Sequence, residues 1–229
     1  EYQSWLKAEA LSETELKVTT TTTNNLMVNR VGHIIMKTKE VIDGFDGITF
    51  DISQGTAFWK EGGADNYVVD EETGYMTLYG SGIVTNYLFK KGRLTFDFES
   101  INLTGEDWIE FNMWPNSGNT NFHLHFYANK ESNFTCGGSG LNWTQKTFTW
   151  TSEQTNVVKK IEFLVVNKEE GSNALVLKLI IDGVEVAVLD NNITDPYATE
   201  PGAPVYFRMH TTNKASNFTV KSITWEPVE

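Results

Sequence analysis

From about residue 31 onward the sequence is a succession of short runs with period-2 patterning. That spacing constrains the fold more than any other feature. GHIIMKTKEV, GITFDIS, NYVVD, YMTLYGSGIVTNYLF and GRLTFDFES come first. DWIEFNMWP, NFHLHFYA, KTFTWTSE, KKIEFLVVN, ALVLKLIID, VEVAVLD, PVYFRMHTT and FTVKSITWE follow. Gly, Asn and Asp separate the runs, as turn residues separate strands. Roughly a dozen strands at ~8–12-residue spacing predict a sandwich or barrel. The crossover helices that a parallel sheet needs are not in the pattern. Leu94, Phe96 and Phe98 alternate with Arg93, Thr95, Asp97 and Glu99. Such alternation marks a strand with one buried face. Asp182-Gly183 between two β runs predicts a tight hairpin. The expected fold is all-β: a two-sheet antiparallel β-sandwich (jelly roll) with a short N-terminal helix.

That helix is expected over residues 1–17, EYQSWLKAEALSETELK. Ala, Leu, Glu and Lys dominate there, and Trp5, Leu6, Ala10 and Leu11 can share one helical face. The Thr-rich stretch that follows reads as a linker or a strand edge. The expected organisation is an N-terminal helix and Thr-rich tether over residues 1–30, then one sandwich domain over residues 31–229.

Charge narrows the partner. A formal net charge of −12 disfavours nucleic acid, whose phosphates attract Lys and Arg, and disfavours anionic membrane surfaces. No apolar run approaches the ~20 residues that span a bilayer, so membrane insertion is not expected. A neutral ligand suits the charge better, in a soluble secreted or cell-surface protein. The chain opens in polar sequence, so a targeting segment is expected to have been removed or to lie outside it. The one cysteine, Cys136, beside Gly137 and Gly138, permits no internal disulfide. Five Asn-x-Ser/Thr sequons occur, at Asn102, Asn133, Asn142, Asn192 and Asn217. Asp43, Asp46, Asp51, Asp65, Asp190 and Asp195 read as loop residues whose hard oxygens suit a structural calcium ion. No other cofactor is expected.

Three of the runs carry an uncommon second face. In DWIEFNMWP, Ile109, Phe111 and Met113 alternate with Trp108, Glu110, Asn112 and Trp114. In NFHLHFYA, Phe122, Leu124 and Phe126 alternate with Asn121, His123, His125 and Tyr127. In VYFRMHTT, Val205, Phe207 and Met209 alternate with Tyr206, Arg208 and His210. The non-core set is therefore rich in flat rings and planar hydrogen-bonding groups, where a solvated face would carry Lys, Glu and Thr. A pyranose has an apolar C–H face that packs on an aromatic ring and a rim of hydroxyls that amides, carboxylates, imidazoles and guanidinium groups can bind. The expected ligand-binding residues are Trp108, Glu110, Asn112, Trp114, His123, His125, Tyr127, Arg208 and His210. The expected partner is a polysaccharide or oligosaccharide, in the setting of a larger multidomain secreted protein.

The order GRLTFDFES, WIEFNMWPNSG, NFHLHF, LKLIIDGVEVA and FTVKSITWE resembles the concanavalin A-like lectin/glucanase sandwiches over residues ~31–229. The resemblance implies a sugar-handling jelly roll. In the glucanases of this fold the strand after the aromatic-Pro element carries alternating catalytic carboxylates. Here the corresponding positions hold Asn121, His123 and His125. Glu106 and Glu110 lie nearby, but Asp107 between them would face the other way, so no Glu-x-Asp-x-Glu ladder forms. Glycoside hydrolysis needs a pair of carboxyl groups. The reading is therefore a non-catalytic carbohydrate-binding module for a neutral glucan such as starch or β-glucan, rather than an enzyme.

Two alternatives stand beside it. One is a glycoside hydrolase or polysaccharide lyase of the glucanase-like fold, with Arg208 on a uronate carboxylate and His123, His125 or Tyr127 moving protons. The other is a cupin-like metal-binding protein that uses the H-x-H pair His123 and His125 with Glu110 and His210.

Overall fold

Period-2 alternation becomes strand after strand in the computed structural model. It describes residues 4–12, 15–22, 24, 29–37, 46–55, 58–61, 67–79, 82–85, 91–104, 107–115, 121–127, 130–138, 141–172, 174–194, 205–211 and 216–228. The strands, in chain order, begin with β1 (Leu6–Ala10), β2 (Leu16–Thr20), β3 (Arg30–Met36), β4 (Ile48–Gln54), β5 (Phe58–Glu61) and β6 (Tyr67–Val69). They continue with β7 (Met76–Leu78), β8 (Gly82–Thr85), β9 (Gly92–Asn102), β10 (Trp108–Pro115), β11 (Asn121–Tyr127) and β12 (Glu131–Gly138). The last are β13 (Leu141–Thr149), β14 (Lys160–Asn167), β15 (Ala174–Ile181), β16 (Val184–Thr194), β17 (Val205–Thr211) and β18 (Asn217–Pro227). A five-residue helix, α1 (Ser152–Asn156), follows β13 and is opened by a capping box between Thr151 and Gln154.

Fourteen of these strands form two seven-stranded sheets, one in the order β13-β12-β11-β10-β17-β8-β5 and the other in the order β16-β15-β14-β9-β18-β7-β6. Neighbours pair antiparallel in both sheets. The all-β antiparallel sandwich expected from the alternation is what forms.

The core lies between the sheets. Leu94, Phe96 and Phe98 of β9 are at most 2% exposed, as the alternation predicts. They meet Ile109 and Phe111 of β10 and Leu124 and Phe126 of β11, none more than 1% exposed. Phe96 is the hinge of this packing. Its ring lies edge-on to Phe111 of the opposite sheet at 5.4 Å and to Phe163 of its own sheet at 6.1 Å. Phe111 and Phe163 close the triangle at 5.4 Å. Edge-to-face contacts of this kind add to the burial energy of the rings.

Two turns show why particular residues stand where they do. Asp182 and Gly183 both have positive φ, 48° and 81°, the signature of a type I′ hairpin between β15 and β16. The Asp182 carboxylate also accepts hydrogen bonds from the backbone N–H groups of Lys159 and Lys160, at 3.0 and 2.7 Å. At the start of β9, a Cβ on Gly92 would stand 2.6 Å from the Glu226 carbonyl oxygen and 2.6 Å from the Trp225 indole nitrogen. Only glycine fits that crossing with β18.

The N-terminal helix expected over residues 1–17 does not form. Leu6–Ala10 instead pairs with Leu16–Thr20 as a β-hairpin, with Leu6 opposite Thr20 and Ala10 opposite Leu16. Five or six good helix formers make a marginal helix by themselves. The β-branched run Val18-Thr19-Thr20 offers a complete strand partner, and pairing overrides local propensity. A second hairpin, β3–β4, is tied to the first through Arg30. Its guanidinium lies 4.5 Å from the Trp5 ring and donates to the Thr22 hydroxyl at 2.9 Å and to Gln54 Oε1 at 2.6 Å. The Thr-rich stretch thus contributes an edge strand and hydrogen bonds to these hairpins.

Candidate functional site

β10 occupies the middle of its sheet, with β11 on one side and β17 on the other. The three runs singled out by their second face are therefore neighbours. Ile109, Phe111, Leu124 and Phe126 point into the core. Alternation then turns Trp108, Glu110, His125 and Tyr127 to the outer face, where all four are half-buried.

Strand register arranges the face in rows. Trp108 pairs with Tyr127. Glu110 pairs with His125 on one side and with His210 on the other. Asn112 pairs with His123 and Arg208 in the same way, and Trp114 pairs with Tyr206. All nine residues expected at the site thus fall on three adjacent strands. Directly opposed residues have Cβ atoms about 4.5–5.5 Å apart.

Aromatic rings cluster at the Trp108 end. The Trp108 and Tyr127 ring centroids are 5.2 Å apart, tilted by 42°. His125 sits 6.0 Å from the Trp108 ring and 6.3 Å from the Tyr127 ring, edge-on to the latter at 82°. The Lys130 ammonium lies 5.3 Å from the Tyr127 ring centre. The Trp108 indole N–H is buried without a hydrogen-bond partner. An unsatisfied donor of this kind costs about 1–3 kcal/mol.

Asp107 is not part of the face. It is 9% exposed and accepts from the Ser216 and Thr104 hydroxyls, which pins the turn into β10. It faces away from Glu110, as the alternation requires. Glu106 lies outside the described residues.

Register also brings in residues that the sequence reading overlooked. β12 places Asn133 beside His125 and Thr135 beside His123. β13 continues those rows with Thr147 and Gln145. Across β17, β8 puts Gly82 opposite His210 and Val84 opposite Arg208, and β5 then puts Glu61 and Trp59 in the same two rows. Trp59 therefore stands on a strand of the same sheet. The alternation of Asn133 and Thr135 with Phe134 was the available signal for β12.

Of the Asp residues read as loop positions, Asp46 stands exposed outside any strand and two others do not lie in loops. Asp51 is a strand residue of β4, 2.7 Å from His33 Nδ1, and Asp190 is a strand residue of β16 paired with Lys168 at 2.8 Å. Asp43, Asp65 and Asp195 lie outside the described residues. Among the described side chains no three His, Cys, Asp or Glu groups gather to hold a metal ion.

No protein-family model and no curated protein matches this sequence. Solved structures do. A β-glucanase of Bacillus licheniformis superposes with a TM-score of 0.53 at 12% identity, covering 75% of this chain and 92% of that one. A legume lectin-like domain from Entamoeba histolytica gives 0.52 at 8% identity, over 76% and 91%. A β-1,3-1,4-glucanase (lichenase) derived from a mouse hindgut metagenome gives 0.50 at 10% identity, over 88% and 100%. At such identities the likeness is one of fold.

Proposed function

We propose that this chain, a concanavalin A-like lectin/glucanase sandwich, is a non-catalytic module that binds a neutral polysaccharide on the outer face of β10, β11 and β17. The observation that carries the proposal is the pairing of the Trp108 and Tyr127 rings at 5.2 Å beside the Glu110 and His125 row. The rings supply apolar area for a pyranose face. The carboxylate, the imidazoles and the Asn112 and Arg208 positions one row along supply partners for its hydroxyls. The 42° tilt between the rings makes a twisted platform. Such a platform suits a soluble, twisted chain better than the flat surface of a crystalline one. Starch and β-glucans are the first ligands to try.

The same strands favour binding over hydrolysis. Among the outward positions of β10 and β11 only Glu110 is a carboxylate, and Trp108 occupies the next outward position. Retaining hydrolysis needs a second carboxyl about 5–5.5 Å away, and inverting hydrolysis needs one about 6.5–9.5 Å away. The fold neighbours include both β-glucanases and a lectin-like domain, which supports a carbohydrate ligand without choosing between the roles. A secreted or cell-surface location, within a larger protein, belongs to the same reading.

The test is affinity electrophoresis of the purified chain in gels containing starch, β-glucans and other soluble polysaccharides, with released reducing ends assayed in parallel. Retardation without sugar release is expected, with Kd in the micromolar to millimolar range, about −8 to −4 kcal/mol. Sugar release would make the chain a hydrolase. Unsaturated uronate ends absorbing in the ultraviolet, formed from a uronate polymer, would make it a lyase.

A further inference from the structure

Tyr127 is held by its backbone as well as by its ring. It is the last residue of β11, and the β11–β12 ladder runs only from the Asn121–Gly137 pair to the His125–Asn133 pair. Beyond that ladder two side-chain hydroxyls take over. Ser132 Oγ accepts the Tyr127 backbone N–H at 2.9 Å. Thr155 Oγ1 donates to the Tyr127 carbonyl oxygen at 3.3 Å. We propose that Ser132 and Thr155 are positioning residues for the sugar platform. They fix the direction in which the Tyr127 ring leaves the sheet, and they act on a ligand only through that ring. This rests on the carbohydrate reading of the Trp108–Tyr127 pair.

The geometry of the peptide unit carries the proposal. A residue's N–H lies in the peptide plane before its Cα, and its C=O lies in the plane after it. With both planes tied, the Cα–Cβ direction of Tyr127 is set. Neighbouring rings then limit its side-chain torsions, Trp108 at 5.2 Å and His125 at 6.3 Å. Ser132 and Thr155 are both 0% exposed, so neither can meet a ligand itself. A buried hydroxyl costs stability unless it is hydrogen-bonded, and here both hydroxyls are directed at one residue.

Thr155 is itself braced. It lies in α1, a helix of five residues that is too short to persist alone. The Thr155 N–H donates to the Thr151 carbonyl oxygen at 2.9 Å, and the Thr151–Gln154 capping box closes that turn. The next residue, Asn156, accepts the Leu103 backbone N–H on Oδ1 at 3.2 Å, just past the end of β9 in the opposite sheet. Trp150, shortly before the helix, packs edge-on at 5.7 Å against Phe126, the residue preceding Tyr127. α1 is thus a bracket between the Tyr127 carbonyl and the opposite sheet.

The experiment compares Thr155→Val and Ser132→Ala, which remove the hydroxyls, with Thr155→Ser, which keeps one. Thr77→Val is the control, because it removes a hydroxyl bond to Thr219 within the opposite sheet. Ser132→Ala gives the same reading as Thr155→Val without altering α1. In the ligand-free chain the Trp108 indole N–H resonance, assigned by its loss in Trp108→Phe, reports on the Tyr127 ring 5.2 Å away. It is expected to move in Thr155→Val and Ser132→Ala and to keep its wild-type position in Thr155→Ser and Thr77→Val. A signal unmoved in both hydroxyl-free variants, or moved as far by Thr77→Val, overturns the proposal. Affinity for the polysaccharide that retards the chain is expected to fall about threefold or more in Thr155→Val. It should fall no further when Thr155→Val is added to Tyr127→Ala, since both changes act through one ring. Additive losses in that pair would equally overturn the proposal. Undiminished affinity in Tyr127→Ala would instead sink the carbohydrate reading of this pair, and the ligand-free spectrum would still decide whether the two hydroxyls place the ring.

Discussion

Alanine at Phe96 is expected to lower the unfolding free energy by about 3–5 kcal/mol, the usual cost of a buried Phe→Ala change. Phe96 is fully buried and is one of the residues through which the two sheets touch. Removing its ring opens a cavity bounded by Phe111 and Phe163, which already pack on each other and cannot both collapse into the space. Native domains are stable by only about 5–15 kcal/mol, so the variant should sit close to unfolding at ordinary temperature. Urea denaturation measures the change. A loss below about 1 kcal/mol would mean that the Phe96 ring contributes little to the packing between the sheets.

The second large effect concerns the ligand. Trp108→Ala should weaken polysaccharide binding by about tenfold or more, equivalent to about 1.4 kcal/mol, while leaving the sandwich folded. Trp108 is half-buried on the outer face, so its loss opens no core cavity. Trp108→Phe separates two roles. It keeps an aromatic surface beside Tyr127 and removes the buried indole N–H that has no partner. Its melting temperature should therefore equal or exceed that of the wild type, because an unsatisfied buried donor is destabilising. Calorimetric titration and thermal melts check the two expectations. Equal affinity in wild type and Trp108→Ala would move the sugar contact off this end of the face.

Much of this site could be read before the fold was known. The alternation in DWIEFNMWP and NFHLHF separates Phe111 and Leu124, which enter the core, from Glu110 and His125, which do not. The reason is that side chains alternate across a strand whatever the surrounding topology. What alternation cannot supply is adjacency between distant segments. β10 and β17 meet although Glu110 and His210 are a hundred residues apart in sequence, and only pairing in the folded sheet shows that they flank one another.

The missed elements have physical causes as well. β12 escaped notice because Ser132, a polar residue, points inward at 0% exposure, where its hydroxyl accepts from the Tyr127 backbone N–H at 2.9 Å. With Ser inward and Gly137-Gly138 at its end, the run lacks a strand-like composition. The N-terminal hairpin was read as a helix because its first half is rich in helix formers, and the partner strand that decides the matter lies ten residues further on. Asp51 and Asp190 looked like loop ligands because Asp is depleted in strands. In its strand each pairs with an imidazole or a cation.

The most direct test of the central claim follows indole N–H resonances during titration with a soluble oligosaccharide of the polysaccharide that retards the chain. The seven tryptophans give separate signals, and Trp108→Phe identifies the one that matters. The account predicts that the Trp108 indole and the backbone amides of β10 and β11 shift together and saturably with ligand. Shifts confined to the opposite sheet, around Glu99 and Lys221, or to the N-terminal hairpins, with the Trp108 signal unmoved, would contradict it.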